Sequence, residues 1–212
     1  MLTLLLLVVF FASVAMLVRE GIWSNVITLF NVLLAGLLAI NFFEPFADWI
    51  EAKQPTFTYL WDFLSIWAIF CLSMIILRVA SDKISTTRVR FKGPIDLAGG
   101  AILAIWVAWL MVGFSTLTLH LAPLSANFMG FYEEPTSGSF LGMAPDRQWL
   151  GLAQSLSLGS LATSAPKDLP ADQRDSELSD LNVFDPHAEY IFKYHERRAI
   201  FERQPEMRVR RN

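Results

Sequence analysis

The chain has 212 residues, 54% of them hydrophobic and only 17% charged, with a mean hydropathy of +0.42 and a formal net charge of −3. Soluble domains carry about 25% charged residues and nucleic-acid binders need a basic patch, so the composition fits neither class. Charge is also unevenly spread. Residues 1–119 hold 7 Lys/Arg and 7 Asp/Glu, leaving 10 of the 17 basic and 13 of the 20 acidic residues for the last 93 positions. The single cysteine, Cys71, cannot pair within the chain and says nothing of redox compartment. One Cys and three His make a structural zinc site an unattractive reading, and no cofactor is expected.

A membrane-crossing helix needs about 20 mostly apolar residues, and four segments qualify: 2–18, 25–43, 59–79 and 95–119. The first has Ser13 and Ala15 at the spacing of a signal cleavage site. No Lys or Arg precedes it and a second span follows almost at once, so it reads as a retained helix. Between the third and fourth spans, "SDKISTTRVRFKG" carries Lys83, Arg88, Arg90 and Lys92. Between the second and third, "EPFADWIEAKQP" sets one Lys against Glu44, Asp48 and Glu51. Positive loops stay in the cytoplasm, and Arg19 in the first turn agrees. The expectation is a multi-pass inner-membrane protein with both termini outside the cytoplasm. Trp23, Trp49, Tyr59 and Trp61 fall near span ends, where amphipathic rings settle. Trp106 and Trp109 sit mid-span and read as lipid-facing or packing residues.

In the second span Asn25, Thr28 and Asn31 recur every three residues, with Ala35 beyond, on one broad face. Lipid cannot satisfy an amide, so that face must point at another helix or subunit. Interhelical bonding is the plain reading, and a polar pathway is the sharper one. Asp62, a few residues inside the third span, is the best candidate for a buried functional charge. Arg78, near its other end, can snorkel. The fourth span opens with Pro94, Asp96, Gly99 and Gly100. Proline suits the first helical turn and Asp96 can complement the positive helix end. Gly100, Ala104 and Ala108 then make a small-residue seam for close helix packing.

Four short-looped spans, the Arg19–Glu20–Gly21 turn and "IDLAGG" at the opening of the last span resemble the colicin V production protein (CvpA) family over roughly residues 1–120. In that family the first turn reads Arg-Gly and the last span opens with Asp-Arg-x-x-Gly-x-x-x-Gly. Asp96 and Gly100 match; Leu97 stands where Arg is usual, Ala104 replaces the second Gly, and Thr3 occupies the region of a common early Asp. The resemblance implies an inner-membrane protein linked to bacteriocin export and envelope homeostasis, and it brings no enzymatic activity. Arg19, Gly21, Asp96, Gly99, Gly100 and Ala104 are its candidate motif and packing residues.

Beyond residue 120 the organisation changes. A Pro/Gly/Ser-rich loop fills 121–145. Trp149, Leu152, Ala153, Leu156 and Leu161 make a helical stripe over 146–162 that can lie on the membrane surface or close over the bundle. A polar, acidic segment, 163–184, reads as a flexible linker. Asp185–Pro186 then starts a C-terminal helix and basic tail, 185–212. His187 and His195 lie eight apart, not the spacing of a helical metal pair. No phosphate loop, nucleophile elbow or metalloprotease helix occurs. The fold class expected is all-α: a four-helix membrane bundle with a partly helical extension. The function expected is a non-enzymatic scaffold or accessory factor in lipid, with a protein partner or self-association and no nucleic acid. The alternative is a small oligomeric channel or transporter subunit lined by Asn25, Thr28, Asn31 and Asp62.

Overall fold

A computed structural model describes residues 2–54, 58–85, 93–124, 140–158, 184–185 and 189–202. These residues are helical apart from short turns, with no strand among them beyond an isolated bridge between Phe140 and Met143. The basic loop at Arg88–Lys92, residues 163–183 of the expected linker, His187 and the C-terminal basic run lie outside the described residues.

Six helices follow in order: α1 (Leu2–Leu17), α2 (Gly21–Glu51), α3 (Thr58–Ile84), α4 (Gly93–Leu119), α5 (Pro145–Leu158) and α6 (Tyr190–Glu202). Three of them, α2, α3 and α4, are long and apolar enough to cross a membrane, where four were expected. Helix α1 is as apolar but only 16 residues long, about 24 Å at 1.5 Å per residue. Helix α2 runs 31 residues and absorbs most of the loop expected after Phe43. Pro45 removes the N–H that would bond the Asn41 carbonyl, yet the helix continues to Glu51.

The first four helices pack unevenly. Helix α2 packs along α3 on one side and α4 on the other, and α1 packs on α4 alone without extended contact to α2 or α3. Helix α3 meets α4 chiefly through rings: Phe70 stacks on Phe114 at 4.3 Å between centroids, and Trp67 meets Phe114 edge-on at 5.5 Å. The principal core joins Ala35, Ala39 and Phe43 of α2, Ile66 and Phe70 of α3 and Phe114 and Leu117 of α4 to side chains of α5 and α6. A smaller cluster joins Leu2 and Leu6 of α1 to Val112 and Phe140.

Helix α5 seats its Trp149 in the groove between α2 and α4. Its Trp149 is the largest fully buried side chain among the described residues. The ring fits only because both walls lack a side chain. A methyl at Gly36 would come within 2.5 Å of Trp149 Cη2, and one at Gly113 within 2.5 Å of Trp149 Cδ1 and 2.9 Å of the Pro145 carbonyl oxygen. The indole N–H donates to the Leu110 carbonyl at 2.6 Å. Trp149→Ala is expected to cost roughly 3 kcal/mol, the low end for a core Trp truncation, because lipid as well as water can receive the freed surface. Gly113→Leu should be as damaging, since backbone and ring both block it. Unfolding of the purified protein in mixed micelles measures both.

Candidate functional site

The polar residues of the spans gather in two places, one at each end of the α2–α3–α4 core. At the first, α2 starts at Gly21 with φ +80°, a left-handed conformation that costs a side-chain-bearing residue energy. Its N-cap position, Glu20, gives no side-chain cap. The cap comes instead from α4: Asp96 Oδ1 accepts the Ile22 N–H at 3.0 Å. Asp96 thus complements the positive end of α2, a different helix from the one it begins. Gly99 and Gly100 let the two helices touch. A methyl at Gly99 would meet Ile22 Cδ1 at 2.5 Å, and one at Gly100 would meet the Gly21 backbone at 3.1 Å. Ala104 continues that seam, fully buried. Arg19 is exposed in the turn.

Asn25, wholly buried, ties three helices together there. Its Nδ2 donates to the Leu17 carbonyl at the end of α1 (3.0 Å) and to the Gly100 carbonyl of α4 (2.8 Å). Thr28 and Asn31 face α3. Arg78 Nη1 donates to Thr28 Oγ1 at 3.2 Å, and Asn31 Nδ2 donates to Ser81 Oγ at 3.2 Å. Trp23 Nε1 reaches Ser85 Oγ at 2.9 Å. The three residues share a face of α2, but that face is divided between neighbours, with Asn25 on α1 and α4 and the other two on α3.

At the opposite end, α6 docks on two acids. Lys193 Nζ and Tyr194 Oη both donate to Glu44 Oε1 at 2.7 Å, and Arg197 pairs with Asp62. Phe43 packs against Tyr190 and Tyr194 at 6.5 and 6.3 Å between centroids. Asp185 Oδ1 caps this helix by accepting the Glu189 and Tyr190 N–H groups at 2.7 and 3.2 Å. Burial raises the hydroxyl pKa of both Tyr190 and Tyr194. For Tyr190 the nearby Glu44 carboxylate adds to this; for Tyr194, Tyr190 and the hydrogen bond to Glu44 do so. The role of Glu44 was missed because the helix was expected to end before it. The spacing of Lys193, Tyr194 and Arg197 along one face of α6 was the available signal.

A second omission is the buried pair His120 and Asp146. Asp146 Oδ2 lies 3.0 Å from His120 Nε2, joining the end of α4 to the first turn of α5. Sequence separation hides it, and His120 falls just outside the expected span. Trp109, read as a packing residue, also reaches α5 by donating its Nε1 proton to Gln148 Oε1 at 2.8 Å. Among the described residues no three His, Cys, Asp or Glu side chains converge to hold a metal ion.

Asn25→Ala removes two cross-helix bonds, for an expected loss of about 1–3 kcal/mol. Asp96→Asn keeps an acceptor and should lose less than Asp96→Ala, as read by equilibrium unfolding. The tyrosines give a pH signature. Both folded-state pKa values exceed the ordinary 10.0, so the folded state holds these protons more tightly. Their stabilisation is full below pH of about 10 and is lost as pH rises further. Tyrosinate absorbance should show two of the four tyrosines ionising late in the native protein.

The profile of the colicin V production protein family matches residues 2–142, from the start of α1 into the Phe140–Met143 turn. No curated protein and no solved structure matches the chain. With about two thirds of its length matched, the chain belongs to the colicin V production protein family.

Proposed function

We propose that this membrane protein is a non-enzymatic scaffold or accessory factor in envelope homeostasis or export. It sits in the inner membrane with the Arg78 end of the core toward the cytoplasm and α5 and α6 on the far side. One observation supports this reading over a conducting subunit. Asn25, Thr28, Asn31 and Asp62, the residues that could line a polar path, each bond to another helix of the same chain. A permeation path needs polar groups left free for the permeant, and of these four side chains it is the Asn25 carboxamide oxygen alone that is buried without a partner. Family membership supports the export connection.

Helix α6 is the natural place to look for a partner. Phe192 is its exposed bulky apolar side chain among those described, at 47% exposure, while Tyr190, Ile191 and Tyr194 are buried against the core. A photoreactive residue at Phe192, activated in native membranes, should yield a discrete adduct with another envelope protein, identified by mass spectrometry. Only self-adducts would sink the scaffold reading. They would favour an oligomeric channel, to be checked by solute flux through reconstituted vesicles with and without Asn31→Ala.

A further inference from the structure

Helix α6 is seated differently from the other helices. Among the described residues α5 lies along α4, whereas no helix runs along the backbone of α6. It reaches α2 and α3 through the ends of its side chains. Lys193 Nζ and Tyr194 Oη meet Glu44, Arg197 meets Asp62, and Tyr190, Ile191 and Tyr194 are buried beneath. Tyr190, Lys193, Tyr194 and Arg197 stand at i, i+3, i+4 and i+7, the anchor spacing of a helix laid into a groove.

The fit is imperfect at one atom. Tyr190 Oη is buried with no partner, although Glu44, Asp62 and Asp185 lie close enough for their charges to act on it. A buried hydroxyl left unpaired is destabilising, and a phenyl ring in its place would not be. Tyr194, four residues on, gives its proton to Glu44 instead. The Lys193–Glu44 pair is about half exposed on both sides, so water weakens it. Helix α6 therefore holds its place by few strong contacts. That place cannot stand empty, however. Without α6, two carboxylates would be left beside Phe43 at the ends of two spans, where an unpaired charge is costly. Departure of α6 is an exchange for another cationic helix, not a simple opening.

We propose that the Glu44–Asp62 face of α2 and α3 is a docking site for basic amphipathic helices, with α6 as its resident occupant. A partner's helix displaces α6 when it carries aromatic residues at i and i+4 and cations at i+3 and i+7. The start of the α6 segment is tied to α5, because Gln154 Nε2 donates to the Asp185 carbonyl and the Phe184 N–H donates to Ser157 Oγ. A displaced α6 thus stays beside its site and competes at a high effective concentration. A competitor gains where α6 fits worst, so phenylalanine is the favoured first aromatic. The proposal rests on the scaffold reading for the existence of a partner and adds that partner's chemistry. Its test uses no other envelope protein, so it can fail while an adduct at Phe192 forms, and the reverse.

The probe is a fluorescein-labelled peptide of residues 184–202, titrated by anisotropy against the full chain in phosphatidylethanolamine–phosphatidylglycerol nanodiscs. The wild-type chain should capture it weakly, because its own α6 competes. Lys193→Glu with Arg197→Glu in the chain sets α6 against Glu44 and Asp62, and should strengthen capture roughly tenfold. Adding Glu44→Gln and Asp62→Asn to that chain should abolish the gain. The two tyrosines give opposite signs. A peptide with Tyr190→Phe should bind about tenfold more tightly, and one with Tyr194→Phe more weakly by a similar factor. If the charge-reversed chain does not accumulate, Lys193→Ala keeps Arg197 on Asp62 and should shift capture in the same direction by less. Equal capture by wild-type and charge-reversed chains would overturn the proposal, as would capture indifferent to Glu44→Gln and Asp62→Asn. Either would place the peptide on lipid or elsewhere on the protein. No capture by a charge-reversed chain with wild-type near-ultraviolet circular dichroism would overturn it too, since the face would then accept only the helix attached to it. Tighter binding of both phenylalanine peptides would show apolar partitioning and count equally against it.

Discussion

Close approach of two backbones at Gly21 and Gly100 governs the placement of everything else. With a methyl at Gly100 only 3.1 Å from the Gly21 backbone, α4 cannot shift or rotate on α2 without opening the contact. That fixed point brings Asp96 under the first turn of α2 and the Gly100 carbonyl under Asn25. Membrane helices lack a hydrophobic drive for association, so small-residue contact and interhelical hydrogen bonds must supply it. Here both occur within two turns of one junction. Fifteen residues up α2 and thirteen up α4, the same register delivers Gly36 and Gly113 opposite each other as the slot for Trp149.

The two ends of the core are built from different chemistry. At the Gly21 end the bonds are short-range within the spans and largely neutral, joined by the Arg78–Asp82 pair at its edge. At the Glu44 end the contacts bring in a helix from outside the spans, held by two ion pairs and an aromatic cluster. Lys193 and Glu44 are substantially exposed, so solvent screens that pair and it contributes little alone. Burial of Tyr190, Ile191 and Tyr194 against Phe43 is the larger contribution to seating α6.

Much of this was legible in the sequence, within limits that follow from what each signal encodes. Apolar runs located α2, α3 and α4, and the small-residue seam at Gly100 and Ala104 pointed to close packing. Asp96 read locally as a cap for its own helix, because sequence proximity is the only geometry a sequence offers; the N–H it accepts belongs to a residue 74 positions away. Glu44 and Pro45 read as the end of a helix, yet tertiary contacts with α6 and α3 carry α2 onward to Glu51. The slot for Trp149 needs two glycines 77 positions apart, Gly36 and Gly113, and neither belongs to a motif that announces it. Face periodicity placed Asn25, Thr28 and Asn31 together correctly, but it could not show that α1 and α4 take the first and α3 the other two.

The Asn25 bonds also set an order of events during synthesis. The chain is made from its N-terminus, so Asn25 exists before Gly100 by 75 residues, roughly 4–15 s at about 5–20 residues per second. For that interval the Leu17 carbonyl, eight residues back, is its one partner from the final set. The Asn25 Nδ2 group therefore holds one of its two final bonds during that interval, and arrival of the fourth helix supplies the second. Assembly of the core is thereby tied to the last of its long helices, however early the second is inserted.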